Sequence, residues 1–339
     1  MMALNDTDQI TLAHGAGGKV SRELMESVIL PEFGNPMLEQ LHDGAIVGMS
    51  GQVAFTTDSY VVQPLFFAGG NIGKLAVCGT VNDLAMTGAV PRYISVGLIL
   101  EEGFPIADLR RILHTMREMA DKAGIYIVTG DTKVVEHGKC DGIFINTAGI
   151  GDIIPGTAIA PQAVRPGMKV LISGSIGDHA ATILAGRHGL EVPDTLHTDC
   201  APLSGMTQAM LMVAPDIAVL RDPTRGGVAA VLNEIADASG CGVLIDEAAL
   251  PIHDEVQGVC DILGFDPLYL ANEGKCIAFV PANEAESVLK VMQANEYGSE
   301  ARIIGETVAD APGQVGLRTA IGSIRVVDMP LGNIVPRIC

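Results

Sequence analysis

The chain ends on a cysteine, Cys339, placed behind Pro336, Arg337 and Ile338. Chain ends are where order is weakest, so a thiol there gains little from packing. Two readings remain: a chance residue on a frayed end, or a nucleophile that carries a reactive group. Four acidic residues stand next to small residues or at element boundaries: Asp43 in LHDGA, Asp58 in FTTDS, Asp83 in TVNDLA and Asp131 in VTGDTK. A hard cation such as Mg²⁺ takes a few carboxylates and completes its shell with phosphate oxygens. Aspartate also caps helices and turns, so each residue alone is open to either reading.

DPTRGG, Asp222 to Gly227, precedes the helical run VAAVLNEIAD. Backbone N–H groups at such a helix start can meet an anion, and Arg225 adds a forked donor. The alternative is a helix capped by Thr224 with Arg225 on the surface. HGAGGK, His14 to Lys19, lacks the spacing of a P-loop because Val20 follows the lysine. GSIGD, Gly174 to Asp178, is half of a dinucleotide fingerprint, and no full G-x-G-x-x-G follows. The eight histidines show no paired-ligand spacing and read as structural or surface groups.

These residues need elements to position them. IVGMSGQVAFTTDSYVV (46–62) reads as two strands joined by a Ser-Gly turn, the second ending at Asp58 or running on to Val62. IGKLAVCGTVNDLAMTGA reads as a helix of small residues ending near Gly88, and PRYISVGLILEEG as a strand. PIADLRRILHTMREMADKAG has the clearest helical period, with Leu109, Ile112, Leu113, Met116 and Met119 on one face and Gly124 at its stop. IYIVTGDTKVV and GIFINTAGIGDI are further strands. The form D-[S/T]-x-V-V recurs at Asp58 and Asp131, a weak internal echo. PGTAIAPQAVRPG (155–167) is a Pro/Gly-rich joint. Beyond it strands and helices alternate, as in α/β proteins, until the chain turns polar from Pro330 onward. The expected division is 1–155, 156–329 and a mobile tail, 330–339.

The 339 residues favour two domains. The chain is 48% hydrophobic but only 4% aromatic, without tryptophan, so its core is built from aliphatic residues. A net charge of −19 repels phosphate backbones, which excludes nucleic acid as an expected partner. A nucleotide bound here would arrive with a cation. No apolar run is long enough to span a membrane, and the first residues do not read as a secretory signal. An odd number of cysteines without a CxxC pair points to a reducing, cytoplasmic setting. The other six cysteines read as buried small hydrophobes.

HGAGGK, TTDSYVVQPLFFAGGNIGKLAVCGTVNDLAMTGAVP, VTGDTKVV, SGSIGDH, DPTRGG, ANEGK and the terminal PRIC together resemble, in order from His14 to Cys339, the carbamoyl dehydratases of hydrogenase maturation, the HypE family. That family sits in the ATP-using superfamily of aminoimidazole ribonucleotide synthetase, selenophosphate synthetase and thiamine-monophosphate kinase. The resemblance implies an α+β N-terminal domain, whose sheet pairs two chains into a homodimer, followed by an α/β C-terminal domain. It implies ATP in the cleft between domains, with Asn82, Asp83, Thr132, Lys74, Arg225 and Gly226 at the nucleotide. Mg²⁺ would be held among Asp43, Asp58, Asp83 and Asp131. The implied reaction starts when the carbamoyltransferase HypF places a carbamoyl group on Cys339. ATP then activates the carbamoyl oxygen, a base removes the nitrogen protons, and the resulting thiocyanate passes cyanide to iron on a HypC–HypD complex. For the proton acceptor the resemblance points to Lys133 and Glu273, in GDTK and ANEGK, with Glu273 alternatively orienting Lys133 or binding metal. Extended, the arm from Pro330 to Cys339 reaches about 30 Å, enough for a carrier that must visit several sites.

Selenophosphate synthetase would need a reactive residue in the glycine-rich loop, where HGAGGK has none. The other superfamily enzymes leave PRIC unexplained. A prenylation box needs its cysteine four residues from the end. The remaining alternatives are another ATP-dependent enzyme of the superfamily and a binding module with a docking tail.

Overall fold

The computed structural model describes residues 4–16, 18–40, 44–332, 335 and 337–339. Asp43, one of the expected metal ligands, and Pro336 lie outside the described residues.

Short helical segments over Leu12–Gly15, Gly18–Leu24, Met25–Ile29 and Leu30–Phe33 lead into the first sheet. That sheet is built from β1 (Val53–Tyr60), β2 (Ala89–Glu101), β3 (Tyr126–Val135) and β4 (Ile143–Ile153). Its order is β1–β4–β2–β3; β4 runs antiparallel to both neighbours, and β2 and β3 run parallel. Helices α1 (Ile72–Met86) and α2 (Ile106–Ala123) cover one face.

α1 starts where Asn71 accepts the N–H groups of Gly73 and Lys74, an N-cap that satisfies two otherwise orphaned donors. It is buried almost all round, as expected of a helix apolar on every side. α2 is the amphipathic opposite. Its Leu109, Ile112, Leu113 and Met116 are fully buried, and Gly124 ends it in the left-handed conformation. Truncating Leu113 to alanine would cost about 2–5 kcal/mol.

The second half holds β5 (Lys169–Ile172), α3 (Asp178–His188), α4 (Ser204–Val213), β6 (Val219–Arg221), α5 (Gly227–Ser239), β7 (Gly242–Asp246), α6 (Asp254–Leu263), β8 (Ile277–Val280), α7 (Ala285–Gln293), β9 (Arg302–Val308), β10 (Val315–Arg318) and β11 (Ile324–Val326). Its seven-stranded sheet has the order β11–β10–β7–β9–β5–β8–β6. Only the β7–β10 pair is parallel, so strand–helix alternation here produces a mixed sheet that is mainly antiparallel.

Two local expectations change. The run 44–50 before Gly51 forms no strand, and Ile46 is exposed; β1 is the sheet edge, and no strand among the described residues pairs with that run. Thr224 does not cap α5. Gly226 and Gly227, both at positive φ, make the turn, and a Cβ on Gly227 would lie 2.5 Å from the Leu268 carbonyl oxygen. The resting place of the tail, which the sequence leaves open, is against the first core, where Val335, Ile338 and Cys339 are buried.

Candidate active site

The chain terminus enters the cleft between the two sheets. Val61 N–H donates to the Cys339 carbonyl at 3.1 Å and Gln63 N–H to that of Arg337 at 3.3 Å, so the tail adds a short ladder beyond β1. Arg337 returns a hydrogen bond from Nε to the Val61 carbonyl at 3.0 Å and pairs with Asp141 at 2.5 Å. His179 on α3 holds the Ile338 carbonyl at 2.8 Å. Arg187 also reaches the Arg337 carbonyl.

Cys339 is 9% exposed. Burial and the nearby acidic Glu273 push its thiol up to about 12, against the pull of the Arg225 guanidinium. The free thiol is therefore protonated at rest, and a carbonyl-bearing group on its sulfur would lie among Glu273, Arg225 and Asp58.

Glu273 is 4% exposed, and its Oε1 has no hydrogen-bond partner. Burial first, then the charges of Asp199, Asp222 and Asp58, hold its proton affinity well above the usual carboxylate range. Both causes favour the protonated over the ionised form of its carboxyl. Such an orphaned buried group beside a nucleophile is the kind of feature found in catalytic sites.

The acidic wall opposite contains Asp58, Asp83 and Asp222. Asp83 on α1 accepts from Thr56 Oγ1 at 2.8 Å, while burial and Asp58 raise its proton affinity. Asp222 is pushed up to about 7 by burial and by Asp83. Arg225 stands 3.8 Å from Asp58. Among the described residues no three acidic, histidine or cysteine side chains form a ready metal cage. Carboxylates that raise one another in this way still fit a Mg²⁺ that keeps waters and takes further oxygens from phosphate.

The remaining residues divide. Asn82 is fully engaged as a bolt: Nδ2 donates to the Ala201 and Glu273 carbonyls, and Oδ1 accepts from Leu203 N–H. It thereby fixes the loop that carries Glu273. Lys74 donates to the Gly69 carbonyl at 2.9 Å. Gly226 supplies the turn into α5, beside Arg225.

Asp131 and Lys133 lie elsewhere. They form an ion pair at 2.8 Å on β3, at the opposite edge of the sheet from β1. Three strand spacings separate that edge from Asp58, about 14 Å. The register also puts Asp131 and Lys133 on the sheet face away from α1, while Asp58 faces α1. Within one chain Lys133 does not meet Glu273. Thr132 instead faces a recess of about 180 Å³ lined by Met25, Ile29, Phe33, Leu38, Val96 and Ile127.

Sequence reasoning missed Asp222, Asp199 and His179 as parts of the site. Asp222 opens DPTRGG, where the arginine and glycines carry the stronger anion-binding signal. Asp199 and His179 carry no spacing signal, since each acts across a tertiary contact.

The chain matches the AIR synthase related proteins in both halves, the N-terminal domain over residues 41–153 and the C-terminal domain over residues 165–318. It is 51% identical to the carbamoyl dehydratase HypE of Rhodobacter capsulatus over 341 residues, all of both chains. The crystal structure of hydrogenase maturation protein HypE in complex with ATP superposes with a TM-score of 0.94 at 46% identity, covering 97% of this chain and 99% of that one. The HypE in a HypE–HypF complex superposes at 0.80 and 46% identity, covering 91% and 99%. The chain belongs to the HypE carbamoyl dehydratase family, within the AIR synthase related proteins.

Proposed function

We propose that this chain uses ATP to dehydrate a carbamoyl group carried on Cys339, giving a thiocyanate that supplies cyanide to the iron of a NiFe hydrogenase. The observation that carries this reading is the docked terminus, which sets the Cys339 sulfur among Glu273, Arg225 and Asp58.

The chemistry balances as follows. The carbamoyl oxygen attacks the terminal phosphoryl group of ATP, and ADP leaves. The C–O bond then breaks, the oxygen departs with phosphate, and the nitrogen gives up two protons as C≡N forms. Phosphorylation is needed because the amide-type oxygen is otherwise a poor leaving group, and the proton removals need a placed base. Arg225, with the N–H groups opening α5, suits the charge developing on the transferred phosphoryl group. Asp58, Asp83 and Asp222, with Asp43, would hold Mg²⁺, which when bound neutralises phosphate charge and draws protons off these carboxylates.

Glu273 is the in-chain candidate base. Once a cation discharges its acidic neighbours, its carboxyl ionises more readily. Lys133 and Asp131 lie too far away in the same chain, so their contribution requires a second copy. Phe55, Val53 and Ile99 are exposed large hydrophobics on β1 and β2, and packing that sheet face against a partner's forms the homodimer. The recess beside Thr132 has a largely apolar lining, which suits the flat face of a purine at the nucleotide's base end.

The transferase partner is HypF, consistent with the HypE–HypF complex among the structural relatives. The iron acceptor is a HypC–HypD complex, and the setting is cytoplasmic. No helix among the described residues is long and apolar enough to cross a membrane. The test is mass spectrometry of the C-terminal peptide after incubation with HypF, carbamoyl phosphate and ATP–Mg²⁺. One carbamoyl group should appear on Cys339, followed by ATP-dependent loss of one water. An unmodified tail in a mixture that consumes ATP would overturn the reading.

A further inference from the structure

The Glu273 loop and the tail residue before Cys339 belong to distant parts of the chain, yet both are tied to one short segment, Thr198–Cys200, the loop directly and Ile338 through His179. The Asp199 carboxylate, buried to 2% exposure, receives Glu273 N–H on Oδ1 and Gly274 N–H on Oδ2, each at 3.1 Å. Lys275 stands 3.3 Å from Oδ2. The two backbones touch: a Cβ on Gly274 would lie 1.9 Å from the Asp199 carbonyl oxygen, so only glycine fits there. Asn82 bolts both sides of this contact to α1 through the Ala201 and Glu273 carbonyls.

The other arm reaches the tail. Thr198 N–H donates to the Ala68 carbonyl at 3.0 Å, which fixes the segment against the first domain. Its Oγ1 accepts from Cys200 N–H at 3.1 Å and lies 2.8 Å from His179 Nδ1. His179 Nε2 lies 2.8 Å from the Ile338 carbonyl oxygen, which can only accept. Nε2 therefore carries the proton, Nδ1 is the acceptor, and the Thr198 hydroxyl donates to it. The imidazole is fully buried, its edge against Phe67, so its tautomer and plane are both set.

We propose that Thr198–Asp199 is the positioning element of the dehydration: Asp199 sets the place of Glu273, and Thr198, through His179, sets the place of the Cys339 sulfur. The proposal rests on the reading of Glu273 as a proton acceptor. Holding two reacting groups against one rigid segment fixes their separation, which is how orientation lowers a barrier. Asp199 has a second effect. Burial dominates the raised proton affinity of Glu273 and the Asp199 charge is the next contributor, ahead of Asp222 and Asp58, with Arg225 opposing. Lys275 and His179 are the titratable groups that in turn face Asp199.

The experiment follows single-turnover loss of water from protein already carbamoylated on Cys339, across pH, in Asp199→Asn, Glu273→Gln and the double variant. Asp199→Asn should slow the step at least about tenfold and move the pH limb governed by Glu273 downward. The double variant should be no slower than Glu273→Gln alone, since both changes act on one group. Additive losses, or an unmoved limb in Asp199→Asn, would overturn the positioning role. A Glu273→Gln variant that dehydrates normally would overturn the reading of Glu273 instead.

His179→Leu and His179→Gln form the second arm; both leave the Asp199 hydrogen bonds to Glu273 and Gly274 in place, and both remove the imidazole that faces Asp199, so they are compared with each other. Leucine should expose Cys339 to alkylation, and glutamine, which keeps an N–H donor, should restore its protection. Equal protection in both variants would remove His179 from the proposal.

Discussion

The amide of Val61 donates to the carbonyl of Cys339 at 3.1 Å, so the last residue of the chain is paired with the segment that continues β1. Arg337 completes the same contact through its Nε bond to the Val61 carbonyl and its ion pair with Asp141. A carrier arm held this way must undock to meet a transferase and redock to react. Removing Arg337 weakens docking without altering the cleft. Arg337→Ala should therefore raise the alkylation rate of Cys339 at pH 8 several-fold, read on the C-terminal peptide by mass spectrometry. In the parent protein labelling should be slow, because the docked thiol is held near 12. Equally fast labelling of both proteins would mean that the docked state is not the resting one.

Asp222 gives a prediction with a definite sign. Burial and Asp83 raise its proton affinity to about 7 in the folded, cation-free chain, against 3.8 for the ordinary carboxyl. A raised folded value favours the protonated form, so this stability is present below about pH 4 and lost as pH rises through 7. Above pH 7 the ionised group destabilises the fold by a few kcal/mol, at about 1.4 kcal/mol for each tenfold difference in proton affinity. Asp222→Asn should thus raise the melting temperature at pH 8 with chelator present, with little effect at pH 4, and should abolish ATP turnover. A loss of stability at pH 8 would show that Asp222 is not held against its neighbours' charge.

Asp83→Asn tests the same acidic wall from α1. Asp83 accepts the Thr56 hydroxyl and faces Asp58 and Asp222, so the asparagine keeps the hydrogen bond and removes the charge. ATP turnover should fall by at least about a hundredfold, the scale of losing a placed electrostatic group. Carbamoylation of Cys339 should persist, because that chemistry belongs to the transferase. Normal turnover in Asp83→Asn would place the cation elsewhere.

Much of this architecture was legible because its signals are local. The period of Leu109, Ile112, Leu113 and Met116 and the stop at Gly124 specify α2 without reference to the rest of the chain. The small residues from Ile72 to Met86 fit a helix packed on all sides, which α1 is. DPTRGG marked a backbone turn, and the turn proved to rest on Gly226 and Gly227 instead of a Thr224 cap. What could not be read was pairing across distance. The mixed second sheet, the bond from His179 to Ile338 and the clasp of Asp199 on the Glu273 loop join segments far apart in sequence. Composition and spacing do not encode which of them meet. Asp58 and Asp131 show the same limit, since two similar motifs lie on opposite edges and faces of one sheet.

That separation leads to the strongest test of the assembly. If Lys133 serves the cleft of a partner chain, then Lys133→Ala and Asp83→Asn damage different contributors to each composite site. A mixed dimer of the two variants would hold one site with both residues intact and one with neither. Each variant alone should be inactive. After random re-assortment of equal amounts, half of the dimers are mixed, and each keeps one of two sites, so about a quarter of the parent activity should return. Recovery should appear only under conditions that let subunits exchange, followed with differently tagged chains. No recovery after proven exchange would mean that Lys133 and Asp83 act in the same chain, or that Lys133 takes no part, and an active Lys133→Ala homodimer would separate those two outcomes.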